Sequence, residues 1–182
     1  MTRLIIGEPD SGKSAAAEEM AMRCDTPRVY YLATMLVLDE DGRRRREKHR
    51  KQREGRGFLT LEIPYRVDRA IEQMETPEEC TVLLECLSNL VGNEMHENPE
   101  RKDLWQDSDG EAFMKEILKD VLTLADSVRN LIIVTNEFRE DPAHDAETRD
   151  YIRFLSMLNR ALIPHADEVR NLRGRETEGS PC

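Results

Sequence analysis

A glycine-rich segment near the start of the chain restricts the possible folds more than any other feature. Residues 7–14 read GEPDSGKS and fit the pattern GxxxxGK[ST]; an apolar run precedes them, and a stretch rich in Ala and Glu follows. A strand, a glycine-rich turn and a helix in this order form a phosphate-binding loop, because backbone N–H groups and the helix dipole converge on phosphate oxygens. The sequence therefore predicts a nucleotide site at the junction of a strand and a helix.

The side chains of this loop indicate how it handles a nucleotide. Lys13 supplies a mobile ammonium for the outer phosphates and is a candidate catalytic residue, and the Ser14 hydroxyl is suited to coordinate Mg²⁺. Glycine at positions 7 and 12 permits the sharp turn. We expect every residue of the loop to bind the nucleotide: Gly7, Glu8, Pro9, Asp10, Ser11, Gly12, Lys13 and Ser14.

Four short apolar runs predict buried strands. They are continuous rather than alternating, as in strands that are covered on both faces. They span residues 3–7, 28–33, 81–85 and 131–135. Helix-forming stretches lie at residues 14–22, 67–74, 111–128 and 148–162. The alternation of the two predicts an α/β fold with a mostly parallel sheet and helices on both faces.

The length of 182 residues suits one domain with a single sizeable core. We expect this domain to span residues 1–169 and a polar tail to span residues 170–182. Residues 93–110 are acidic and polar around Trp105, the one tryptophan of the chain. We expect these residues to form a long loop or lid.

Glu85 ends the apolar run 81–85 and is a second candidate Mg²⁺ ligand. In phosphate-loop proteins, an acidic residue at the end of a second parallel strand faces the metal ion or its water shell, which makes Glu85 the natural partner of Ser14. A surface carboxylate that merely ends a strand is the alternative.

A strongly basic segment, residues 43–53, reads RRRREKHRKQR. On a helix, Arg45, His49 and Arg53 fall four residues apart and share one face. Neighbouring arginines keep an imidazole neutral, as a nucleophile requires, and can hold the phosphates of a nucleoside triphosphate. A solvated charged face and a nucleic-acid patch are the alternatives. The other histidines have no such neighbours, and we expect them to be ordinary surface or core residues: His96, His144 and His165.

The overall charge narrows the classes of partner. The chain carries 27 Lys and Arg against 37 Asp and Glu, for a formal net charge of -10. This balance argues against a general nucleic-acid binder and against binding to anionic membranes. No run approaches the roughly 18 apolar residues of a membrane span, and no signal peptide is apparent, so we expect a cytoplasmic protein. The four cysteines form no CxxC pair, and we expect reduced thiols rather than a zinc site or disulfides.

Several motifs in a fixed order resemble one known family, adenosylcobinamide kinase/adenosylcobinamide-phosphate guanylyltransferase, a bifunctional enzyme of cobalamin biosynthesis. The resemblance runs from the phosphate loop to about Val169. The motifs that carry it are GEPDSGKSAAAE at 7–18, YLAT at 31–34, the spacing of Arg45, His49 and Arg53, LLECLSNLVGN at 83–93, VTNE at 134–137, Asn159 and ADEV at 166–169.

The resemblance implies two chemistries on one phosphate-loop NTPase (RecA-like) scaffold. GTP or ATP would phosphorylate adenosylcobinamide, and His49 would take GMP from GTP as a covalent phosphoramidate and pass it to adenosylcobinamide phosphate. The nucleotide-binding set then gains Thr34, Arg45, Arg53, Glu62 and Glu85, with Ser14 and Glu85 at the metal. Mg²⁺, a nucleoside triphosphate, a corrinoid substrate and a homotrimeric assembly are also implied.

The chain departs from the family pattern at three places. Glu8 and Asp10 replace the Gly and Arg of the usual loop GGxRSGKS, and residues 138–145, FREDPAHD, replace a glycine-rich turn. We further expect the final hydrophobic strand after ADEV to be absent. Two other functions therefore stay open, a small-molecule kinase without guanylyl transfer and a nucleotide-binding protein that has lost catalysis.

Overall fold

The computed structural model describes residues 1–37, 40, 42–44, 47, 51, 55–102, 104–106, 110–139 and 141–172. Six strands are present in this part of the chain: β1 (Thr2–Gly7), β2 (Val29–Ala33), β3 (Phe58–Glu62), β4 (Thr81–Glu85), β5 (Asn130–Asn136) and β6 (Glu168–Leu172). The longer helices within it are α1 (Lys13–Met22), α2 (Leu87–His96), α3 (Glu111–Ser127) and α4 (Ala146–Leu162). Short 3₁₀ helices span Val67–Gln73, Pro77–Glu79, Leu104–Gln106 and Ile163–His165. None of the helices in these ranges has the length and apolar character needed to cross a membrane.

The six strands form one sheet in the order β3-β2-β4-β5-β1-β6. Each neighbouring pair is parallel. The carboxyl ends of all strands therefore lie along one edge of the sheet, where the loops that follow several of the strands can build one site. Below, "the same edge" means this one, whereas an edge strand is the outermost strand of the sheet. The predicted α/β class and parallel sheet are confirmed.

Alternate residues of the buried strands face the two sides of the sheet. Leu4, Leu32 and Leu84 pack into a large core with α2, α3 and α4. Ile5 and its neighbours on the other strands face α1, which contributes Ala17 and Ala21. The predicted covering of both faces by helices is confirmed, and the small side chains of α1 let it lie close to the strands that carry the site.

Helix α4 begins two residues before the predicted start because of its N-cap. The side chain of Asp145 accepts a hydrogen bond from the backbone N–H of Thr148 at 2.7 Å. This bond satisfies one of the free N–H groups of the first turn and lowers the pKa of Asp145.

Strand β3 and helix α2 were not predicted, and the predicted helix at 67–74 is of a different type. Strand β3 is half exposed at the edge of the sheet, so its sequence lacks a continuous apolar run. Helix α2 starts two residues after β4, and its apolar residues extend the same run. The predicted helix at 67–74 is a 3₁₀ helix, Val67–Gln73.

The expectation that the last strand is absent is wrong. Residues Glu168–Leu172 form β6 parallel to β1, with Arg3 opposite Glu168 and Gly7 opposite Leu172. As an edge strand it keeps polar side chains in solvent, and Val169 is 41% exposed. The polar tail therefore cannot begin at residue 170, and residues 173–182 lie outside the described residues.

The described part of residues 93–110 is not an open loop or lid. Helix α2 continues to His96, and the side chains of Asn98 and Arg101 are buried. Arg101 donates two hydrogen bonds to the carboxylate of Asp120 on α3, at 2.6 and 3.2 Å. Burial raises the pKa of Asp120, and the bonds from Arg101 oppose that rise. Trp105 lies in the 3₁₀ helix Leu104–Gln106 and is partly buried against the main core.

Candidate functional site

The phosphate loop joins β1 to α1 with a backbone that depends on two glycines. Gly12 has φ 82°, in the left-handed region that favours glycine. Gly7 is required for space, because a Cβ there would lie 2.5 Å from the carbonyl oxygen of Leu172 and 2.6 Å from Oγ of Ser11. Asp10 also has a positive φ, 60°. The loop thus has the tight turn that its sequence predicts.

Lys13 lies at the first position of α1 and is almost fully buried, with 7% of its surface exposed. Its ammonium folds back over the loop and donates a hydrogen bond to the backbone carbonyl oxygen of Glu8 at 2.9 Å. The charge is therefore held inside the turn, next to the N–H groups at the start of the helix. This is where an anion at the helix N-terminus would meet it.

Ser14 and Glu85 are brought together from distant parts of the chain. The Ser14 hydroxyl donates a hydrogen bond to Oε1 of Glu85 at 2.8 Å. Glu85 ends β4, which is separated from β1 by β5 alone, and α1 passes over these strands. A hydroxyl and a carboxylate are the hard oxygen donors that Mg²⁺ prefers, and nucleotide sites supply one or two of them beside phosphate and water. The pair fits a Mg²⁺ ion.

Thr34, predicted to bind nucleotide, has a buried position beside this pair. Its hydroxyl donates to the carbonyl oxygen of Cys86 and accepts from the N–H of Cys86, both at 2.8 Å. Its backbone N–H donates to the carbonyl oxygen of Glu85 at 3.0 Å. Thr34 therefore ties the end of β2 to the end of β4 and supports the position of Glu85.

Ser88, in the first turn of α2, contacts β5, α4 and the N-cap residue of its own helix. Its hydroxyl accepts a hydrogen bond from the side-chain amide of Asn136 at 2.6 Å and lies 2.9 Å from Sγ of Cys86. Its carbonyl oxygen accepts from the Tyr151 hydroxyl at 3.2 Å. Burial raises the pKa of the Cys86 thiol and raises that of Tyr151 to about 12. Both groups stay protonated at neutral pH and serve as structural hydrogen-bonding groups.

Glu62 lies in the same row of the sheet as Glu85. It pairs with Ala33 on β2, and Ala33 pairs with Glu85 on its other side. Two strand spacings separate the two backbones, roughly 10 Å. Glu62 is exposed, and its predicted contact with nucleotide stays a prediction.

The sequence matches the profile of the family described as cobinamide kinase / cobinamide phosphate guanyltransferase over residues 3–174. The chain belongs to this family. Two bifunctional adenosylcobalamin biosynthesis proteins named CobU are among its relatives. The one from Escherichia coli (strain K12) is 29% identical over 174 residues, which cover 93% of both chains. The one from Salmonella typhimurium (strain LT2) is 27% identical over 180 residues, again with 93% of both chains covered.

The fold is also similar to a solved ATPase domain. That domain superposes with a TM-score of 0.52 at 14% identity, covering 93% of this chain and 68% of the other. This likeness concerns the fold alone and confirms the predicted phosphate-loop, RecA-like architecture. The family match, in turn, places the chain among the nucleotide-binding transferases of cobalamin biosynthesis.

The basic segment of this family member is described only in part. Arg45, His49 and Arg53 lie outside the described residues, so their predicted roles stay predictions. Residues 42–44, 47 and 51 are helical. Arg43 forms an ion pair with Glu40. Nζ of Lys51 lies 3.7 Å from Oε1 of Glu47, one helical turn earlier.

One contact at the phosphate loop was missed by sequence reasoning. Arg139, three residues beyond β5, donates from Nη2 to Oε1 of Glu8 at 2.9 Å. The sequence does contain both signals, an acidic residue inside the loop and an arginine after a strand that ends at the same edge. Because 131 positions separate the two residues in the chain, the sequence did not indicate that they pair.

Proposed function

We propose that this protein is a bifunctional transferase of cobalamin biosynthesis. It phosphorylates the hydroxyl of adenosylcobinamide with GTP or ATP and then transfers GMP from GTP to adenosylcobinamide phosphate. Membership of the family supports this assignment. The observation that carries it is the 2.8 Å contact between Ser14 and Glu85 beside the phosphate loop, because it supplies two oxygen ligands next to the site expected for the phosphates.

The kinase step uses the loop, Lys13, Ser14 and Glu85. The loop N–H groups and the dipole of α1 bind the phosphates, and Lys13 exchanges its bond to the carbonyl oxygen of Glu8 for a phosphate oxygen. Ser14 and Glu85 would hold Mg²⁺, and the ion would supply positive charge to offset that of the phosphate oxygens. The substrate hydroxyl attacks the γ-phosphorus directly and loses its proton to solvent, while the bond from that phosphorus to the β-phosphate oxygen breaks and the nucleoside diphosphate leaves. The protein therefore contributes positioning and charge rather than a nucleophile.

The guanylyl step uses His49 as a nucleophile. The neutral imidazole nitrogen attacks the α-phosphorus of GTP, an N–P bond forms, and pyrophosphate leaves. A phosphate oxygen of adenosylcobinamide phosphate then attacks the same phosphorus, and the N–P bond breaks. Arg45 and Arg53 bind the phosphates and offset charge in the transition state. The family resemblance and the four-residue spacing of these three residues support this assignment.

The decisive experiment separates the two activities. The protein is incubated with Mg²⁺ and GTP labelled on the α-phosphate, and label that stays with the denatured protein is measured. We expect a label that acid removes and alkali does not, as for a histidine phosphoramidate. His49→Ala should abolish it, whereas His165→Ala, at an exposed histidine in a 3₁₀ helix, should retain it.

Three other outcomes contradict the proposal in different ways. Equal label in the His49→Ala protein would exclude His49 as the covalent site. Kinase turnover without any label would identify a small-molecule kinase that lacks guanylyl transfer. Nucleotide binding without either reaction would identify a non-catalytic binding protein.

We also propose that the protein acts in the cytoplasm as a homotrimer, as the family resemblance implies. Light scattering on the purified protein tests the assembly. A mass near three times 21.1 kDa would support it, and a monomer would contradict it.

A further inference from the structure

The phosphate loop carries two carboxylates, Glu8 and Asp10, at a site expected to bind several negative charges. Glu8 contacts two cations in different ways. Its backbone carbonyl oxygen accepts from Lys13 Nζ at 2.9 Å, and its side-chain Oε1 accepts from Arg139 Nη2, also at 2.9 Å. One of the two loop carboxylates that a bound triphosphate would repel is thus already paired with an arginine.

A second contact fixes the segment that carries this arginine. The backbone N–H of Glu137 donates to the carbonyl oxygen of Gly7 at 3.1 Å, so the chain leaving β5 is attached to the first residue of the loop. Arg139 follows two residues later and reaches Glu8 from there. The ion pair is therefore built on a backbone junction rather than on two freely moving segments.

The pair is placed to act on ligand binding more than on folding. The Arg139 side chain is 90% exposed and that of Glu8 is 37% exposed, and ion pairs so open to water contribute little to stability. A bound triphosphate changes this balance, because it brings several negative charges to the same loop. Each of them repels an unneutralised carboxylate, and the repulsion grows with the number of phosphates.

We propose that Arg139 is a positioning residue of the phosphate loop, which keeps triphosphate affinity high by neutralising Glu8. This inference rests on the proposed function only in requiring that the loop bind a nucleoside triphosphate. Arg139 acts through Glu8 and contacts no reacting atom. It compensates within this chain for an acidic residue that the loop itself contains.

The test is a double-mutant cycle read against ligand charge. Affinities are measured for the tri-, di- and monophosphate of whichever of GTP or ATP binds in a Lys13-dependent manner. Arg139→Gln should weaken triphosphate binding about fivefold, diphosphate binding less, and monophosphate binding hardly at all. The same substitution in a Glu8→Gln background should have no effect. Arg139→Lys, which keeps the positive charge, should retain most of the wild-type affinity for the triphosphate.

Salt and a matched arginine serve as controls. The loss caused by Arg139→Gln should shrink at about 1 M salt, where charges interact over only about 3 Å. Arg129→Gln removes the same charge at the opposite end of β5, directly before Asn130, and should leave all three affinities unchanged.

Other results overturn the inference. An equal loss from Arg139→Gln with and without Glu8 would show that Arg139 binds phosphate directly. An equal loss for all three nucleotides would show a role in loop structure, and no loss would show no role. If Lys13→Ala keeps wild-type affinity, the proposed nucleotide site itself is wrong, and this result is distinct from a failure of Arg139 alone.

Discussion

The Ser14 hydroxyl donates to Oε1 of Glu85 at 2.8 Å although 71 residues separate the two in the chain. One residue belongs to the first turn of α1 and the other to the end of β4. Parallel pairing through β5 places both at the same edge of the sheet. The contact joins the phosphate loop to the acidic residue that we propose as a Mg²⁺ ligand, and the first two predictions probe the loop and this carboxylate in turn.

Lys13→Ala should remove most triphosphate binding. A hydrogen bond to a charged group is worth about 1.5–3 kcal/mol, which corresponds to a loss of about 10- to 150-fold in affinity. Isothermal titration with GTP and ATP measures it. Lys115→Ala, at an exposed lysine on α3, is the control and should bind normally. Wild-type affinity in Lys13→Ala would mean that the nucleotide binds elsewhere.

Glu85→Gln should leave the fold intact and raise the Mg²⁺ concentration needed for half-maximal turnover about tenfold, because an amide oxygen is a poorer ligand for a hard cation than a carboxylate. A Mg²⁺ titration of activity tests this. Glu111→Gln, in the exposed first turn of α3, should not shift the curve. An unchanged curve for Glu85→Gln would assign that residue a structural role.

Gly7→Ala should destabilise the protein by about 1–3 kcal/mol, as overpacking does, because the new Cβ meets a backbone oxygen of β6 at 2.5 Å. Urea unfolding measures the change. Gly92→Ala, in the middle of α2, is the matched substitution. The new Cβ would make only an ordinary contact, 3.8 Å from the ring of Tyr151 on α4. It should stabilise the protein by about 0.5–1 kcal/mol. Equal effects at both sites would contradict the close approach of β6 to the loop.

Arg101→Met should destabilise the protein by about 3–5 kcal/mol, because it leaves the buried carboxylate of Asp120 without its bidentate partner. Burial raises the pKa of Asp120 and Arg101 lowers it, so removing Arg101 should raise this pKa further above its unfolded value. The loss of folding stability is then complete at pH values above the raised pKa, and it becomes smaller as the pH falls and Asp120 takes up a proton. The loss measured by urea unfolding should therefore be smaller at about pH 5 than at about pH 7.

Arg23→Met, at an exposed ion pair with Glu19, is the control for Arg101→Met and should cost under about 1 kcal/mol. A loss of similar size at both arginines, or one that does not depend on pH, would show that the Arg101 pair is not an essential buried contact.

The phosphate loop could be predicted from the sequence because its properties are local. Gly12 adopts its left-handed φ within one turn, and Lys13 and Ser14 occupy fixed places relative to the helix that follows. The continuous apolar runs likewise predicted the four central strands, since burial on both faces removes any polar alternation. Glu85 was identifiable because an acidic residue directly ends such a run.

Other features depend on contacts between distant segments and leave no local pattern. Strand β6 is polar and half exposed, and only its pairing with β1 makes it a strand. The sequence did not indicate that the hydroxyl of Thr34 bonds to the backbone of Cys86, 52 residues away, and the contact of Thr34 with nucleotide stays a prediction.

The sequence by itself therefore determined the α/β class, the nucleotide-binding loop and the candidate metal ligands, because each follows from neighbouring residues. Only the tertiary structure decided that Arg101 is buried against Asp120 and that Arg139 pairs with Glu8. Ion pairs of this kind form between side chains that the sheet topology brings together. Charge and spacing along the chain do not encode which distant partner each of them meets.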